Sequence, residues 1–101
     1  MLKILTVLSL LFFAGATSAC VQETNTLPKY VGVDSSSGTI YVNISSEKNE
    51  CGCTFARFSP SATDTKAVLS ILLTAKTSNR PVRVDFKTEG DCDTAYRAYL
   101  K

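Results

Sequence analysis

The chain has 101 residues, with 11 Lys and Arg against 9 Asp and Glu, no histidine and four cysteines. A chain of this length holds one small domain. Its near-balanced charge excludes a strongly basic polyanion binder, and the missing histidine removes the usual proton shuttle and metal ligand.

Met1-Leu2-Lys3 gives a short positive start, Ile4 to Ala14 is an apolar run, and Gly15 to Ala19 is small throughout. That order predicts a secretory signal over residues 1–19. The run is shorter than the roughly 20 residues a membrane span needs. Cleavage after Ala19 leaves a single domain, 20–101, that begins at Cys20 and has lost Lys3, one of its positive charges. The expected location is therefore secreted or periplasmic. Ser18-Ala19-Cys20 also resembles the end of a lipoprotein signal, although Thr17 departs from that pattern. Membrane association is expected only if Cys20 is acylated.

A small exported domain is commonly stapled by disulfides. Cys51 and Cys53, two apart on an expected strand, share a face and do not readily bond each other. The expected pairs are Cys53 with Cys92, in a turn, and Cys20 with Cys51. A zinc site would need all four cysteines at odd spacings, so no metal is expected.

The elements follow in order. Val21 to Pro28 reads as an irregular lead-in. Lys29 to Asp34 is a first strand, with Val31 and Val33 on one face, and Ser35 to Gly38 is a turn. Thr39 to Ser45 is a second strand: Ile40, Val42 and Ile44 alternate with Thr39, Tyr41 and Asn43. Cys51 to Phe58 is the third. A helix is expected over Thr65 to Lys76, capped by Ser61 or Thr63, with Asp64 near its positive end. Its apolar stripe is Val68, Leu69, Ile71, Leu72 and Ala75. Asn79 suits the left-handed position that ends a helix, and Pro81 cannot continue it. Pro81 to Lys87 is a fourth strand with Val82, Val84 and Phe86 inward. Thr94 to Leu100 is read as a fifth strand in preference to a short helix, to cover an open edge.

Three strands, a helix and two strands make a mainly β domain with the element order of an OB-fold, a five-stranded Greek-key barrel. In that architecture the helix stoppers one mouth. No Gly-rich phosphate loop, nucleophile elbow or histidine-based constellation is present. The acid pairs Asp91 and Asp93, and Glu47 and Glu50, fall in turns where charge is solvated. No enzyme activity and no cofactor are expected. No basic run exists beyond Lys76, Arg80 and Arg83 around the helix end, so nucleic acid is not an expected partner. The candidate ligand-binding residues are Tyr41 and Asn43, outward on the second strand, and Ser36 in the turn before it. A tyrosine ring can stack on a sugar, while asparagine and serine supply hydrogen bonds. Tyr99 and Arg97 on the last strand are secondary candidates. Asn43-Ile44-Ser45 matches a glycosylation acceptor, a match read as chance.

Val31-Gly32-Val33-Asp34, a turn and an alternating strand resemble the first hairpin of the B subunits of subtilase cytotoxin and typhoid toxin. The helix followed by Ser78-Asn79-Arg80-Pro81-Val82-Arg83-Val84 is similar to the helix, polar turn and basic-apolar strand of that family, and Cys92 matches a late cysteine. The resemblance covers residues 29–100. It implies an OB-fold, a homo-oligomeric ring of five and binding of a cell-surface glycan. The serine that contacts sialic acid in those toxins precedes the Val-Gly pair, and this chain has no matching residue there. Two readings follow: an exported glycan-binding module, or an envelope protein of structural or protein-interaction type.

Overall fold

The computed structural model describes residues 18–101. The expected leader therefore lies outside the described residues except for Ser18 and Ala19. No helix among the described residues is long and apolar enough to cross a membrane.

The domain is mainly β with one helix. Its strands are β1 (Cys20–Gln22), β2 (Leu27–Val33), β3 (Ile40–Ser45), β4 (Phe55–Phe58), β5 (Val82–Phe86) and β6 (Ala95–Leu100), and α1 (Thr65–Ser78) lies between β4 and β5. They form a mixed six-stranded sheet in the order β1-β5-β6-β4-β3-β2, in which only β4 and β6 run parallel. This corrects the expected five-stranded barrel, because the sheet does not close. β2 and β5 share no ladder; a backbone bond joins Val82 N–H to the carbonyl of Thr26, the residue before β2, at 2.8 Å. One local feature lies where the two edge strands meet. A turn at Asn25, whose φ of 46° is left-handed, separates β1 from β2, so no continuous strand pairs with both sides. In the interior of the sheet β4 has four residues and pairs with β6 only at Phe58 and Ala95 before the chain leaves for the helix.

β1 arises where the sequence reads as irregular. It pairs antiparallel with β5, and the fully buried Gln22 side chain adds two bonds: Nε2 donates to the Cys53 carbonyl at 2.8 Å, and Oε1 accepts from the Cys51 N–H at 3.2 Å. Both expected disulfides are present, Cys20–Cys51 and Cys53–Cys92. Their reason differs from the expected one. Cys51 and Cys53 lie in a turn ahead of β4, both buried, and each faces a distant partner. The bridges span 31 and 39 residues, and loop closures of that size stabilise a small domain by about 3–4 kcal/mol each in the chain-entropy treatment. A thioether lipid on Cys20 would need the same sulfur that here bonds Cys51.

The core joins Ile40, Val42 and Ile44 of β3, Ala56 and Phe58 of β4, Val82, Val84 and Phe86 of β5, and Ala95 and Ala98 of β6. α1 adds Val68, Leu72 and Ala75, with Leu69 and Ile71 half-buried beside them. The helix packs against β2, β6 and β3, so it covers the inner face of the sheet and does not stopper a barrel mouth. Its cap is Asp64, not Ser61 or Thr63: the Asp64 carboxylate accepts from the Lys66 and Ala67 N–H groups, both at 3.2 Å. Asn79 ends the helix in the left-handed conformation. Val31 packs on the core, whereas Val33, expected beside it, is exposed at the strand end.

Candidate functional site

Alternation along β3 drives Ile40, Val42 and Ile44 inward and turns Tyr41 and Asn43 to the outer face. The same period on β4 buries Ala56 and Phe58 and turns out Phe55 and Arg57. Register then sets two cross-strand rows. Gly32 of β2, Tyr41 and Arg57 form one; Tyr30, Asn43 and Phe55 form the next. Among the described residues no strand lies outside β2.

The rings of Tyr41 and Phe55 stack with centroids 5.7 Å apart and planes 18° apart. The Arg57 guanidinium lies over both, 5.3 Å from the Tyr41 centroid and 4.8 Å from that of Phe55, distances at which cation–π attraction operates. Arg57 Nε donates to Asp34 at 2.5 Å and Nη1 donates to Asp93 at 2.8 Å. These bonds, Asp34 first, hold the guanidinium above its ordinary pKa. Arg57 thus ties the end of β2 and the turn before β6 to the aromatic pair. On the other side of Tyr41, Gly32 has no side chain, and a methyl built there meets nothing within 4 Å. Glycine inside a strand often marks close approach of another molecule.

Of the candidates named from sequence, Tyr41 and Asn43 share this face as neighbours but fall in different rows. Both are half-buried. Ser36 is exposed in the β2–β3 turn, two residues from Asp34, and its hydroxyl bonds none of the described residues; in that turn Ser35 and Ser37 bond each other at 2.7 Å. Sequence reading left out Phe55 and Arg57. Their signal was available, since Phe-Ala-Arg-Phe alternates and the inward pair fixes the outward one.

The other half of the outer face belongs to β5 and β6. Arg97 lies opposite Asp85, and Tyr99 lies opposite Arg83. A groove of about 220 Å³ separates α1 from β6, lined by Ala67, Val68, Ile71, Tyr96 and Tyr99 among others. Asp64 at its end is occupied as the helix cap. Among the described residues no cluster of His, Cys, Asp or Glu could hold a metal ion.

No family model, curated protein or solved structure matches this chain.

Proposed function

We propose that the protein is an exported binding module without catalytic activity, and that it takes a glycan on the outer face around Tyr41 and Asn43. The observation that carries this reading is the Gly32–Tyr41–Arg57 row. It joins an aromatic ring, a side held open by glycine and a guanidinium fixed by two carboxylates. Carbohydrate sites combine such aromatic surfaces with oriented polar groups. Asn43 adds an amide one row along, and Ser36 a hydroxyl at the turn. Because Arg57 already lies over the Tyr41 ring, the sugar meets its Gly32 side and edge. Export is supported by the leader pattern and by two disulfides, which persist in oxidising compartments. Leaving β1 aside, the order β2-β3-β4-β6-β5 supports reading the sheet as an opened relative of the five-stranded Greek-key barrel. A ring of five copies is part of the same reading.

A glycan array probed with the oxidised protein tests it. At least one glycan is expected to bind, and Tyr41→Ala is expected to weaken it by about tenfold, a typical aromatic anchor. Gly32→Val fills the open side without removing any contact, so it is expected to abolish binding and keep the fold. Wild-type binding by the Gly32→Val variant would remove this site from consideration.

A second reading, an envelope protein that docks another protein, is favoured by one observation. Tyr30 and Val33 are 72% and 64% exposed on the outermost strand, β2.

A further inference from the structure

We propose that the outer face of β5 and β6 is a second binding site, for a linear polyanionic polysaccharide held by Arg83, Lys87 and Arg97. It lies on the opposite half of the sheet from Tyr41 and does not depend on that site.

Alternation along β5 turns Arg83 and Asp85 outward, and Lys87 follows just past the strand end. Steps of two residues place the first and last of these about 14 Å apart. Arg97 enters from β6 opposite Asp85. The Asp85 side chain is only 2% exposed although it lies on the solvent side of the sheet. Arg83 covers it with two bonds, Nε to Oδ1 at 2.8 Å and Nη2 to Oδ2 at 3.1 Å. Arg97 Nε lies 3.1 Å from Oδ2. One carboxylate thus fixes two guanidiniums, and the four groups Arg83, Asp85, Lys87 and Arg97 keep two net positive charges. A fixed guanidinium loses less entropy when it takes up an anion.

Donors are left over for a ligand. Among the described residues, Arg83 Nη1, Arg97 Nη1 and the Lys87 amine form no hydrogen bond. Glu23, a second carboxylate that acts on Arg83, pairs with Lys101 at 3.4 Å.

The aromatic rings beside these cations select the class of polyanion. Arg83 lies over Tyr99 at 5.1 Å, and both Arg97 and Lys87 lie over Tyr96, at 4.7 and 5.6 Å. Cations already occupy the rings on which bases would stack, and stacking is what single-stranded nucleic acid needs. Cations spread along one strand match a chain whose sulfates or carboxylates recur. They do not match one terminal acid.

Calorimetric titration of the full oxidised chain with heparin, hyaluronan and a single-stranded oligothymidine tests this. Heparin or hyaluronan is expected to bind, and the one preferred distinguishes sulfate from carboxylate. Raising salt from about 50 to about 200 mM should weaken that binding roughly tenfold or more. Lys87→Gln, which leaves the Asp85 clamp intact, should cost about threefold, and the Lys87→Gln/Arg97→Gln pair about tenfold or more. The proposal is overturned if neither polysaccharide binds, or if Lys87→Gln and the double variant both bind as tightly as wild type. It is equally overturned if the oligothymidine binds as well as the preferred polysaccharide.

Discussion

Asp85 is the residue on which the β5–β6 half of the sheet turns. Its carboxylate is withdrawn from water, yet it has two guanidiniums within hydrogen-bond distance, and no buried side-chain polar atom among the described residues lacks a partner. Removing one member of such a group leaves the others uncompensated. Asp85→Ala is therefore expected to lower stability by about 2–4 kcal/mol, toward the lower end because both arginines reach solvent. Urea unfolding followed by far-ultraviolet circular dichroism measures it, and an unchanged midpoint would show that the arginines need no counter-charge. The expected inward set of Val82, Val84 and Phe86 implies an outer-face Asp85. Its burial was not legible, since it depends on Arg97 arriving from a strand that follows later in the chain. Tyr41 and Asn43 were legible by the same alternation. Arg57 was missed because what makes it notable is its two acids, 23 residues before it and 36 after it.

Among the elements, α1 is the one most fully written in local sequence. The stripe of Val68, Leu72 and Ala75 sets its buried face, and Asn79 ends it in a conformation few side chains accept. The choice of cap was the error: Asp64 stands next to the first helical residue, where its carboxylate reaches two free N–H groups and lies at the positive end of the helix. Asp64→Ala is expected to cost about 1 kcal/mol, and Asp64→Asn much less, because the amide oxygen still caps. Thermal unfolding of the two variants checks this, and equal losses would mean that charge matters more than the bonds. β1 shows the opposite case. Three residues have no periodicity to read, and their strand exists because β5 pairs with it and Gln22 and the Cys20–Cys51 bridge fasten it. β6 lies between: its alternation competes with helix propensity, and pairing with β5 decides the matter.

At the scale of the molecule, the open sheet displays its outer face in two halves. The β3–β4 half carries the Tyr41, Phe55 and Arg57 cluster with two acids around one arginine. The β5–β6 half has the reverse balance, Arg83, Lys87 and Arg97 around Asp85. The net charge of the chain, +2, hides this separation, which explains why composition gave no hint of a charged surface. A mainly β domain with one helix late in the chain was legible from pattern. The missing closure was not, because the turn at Asn25 that separates β1 from β2 does not alter the hydrophobic period. The most direct measurement is a titration of the isotopically labelled protein with a glycan selected on the array, followed by two-dimensional amide NMR. Shifts centred on Gly32, Tyr41, Asn43 and Arg57 are the predicted result. Shifts confined to the groove between α1 and β6, or none at saturating glycan, would contradict the account.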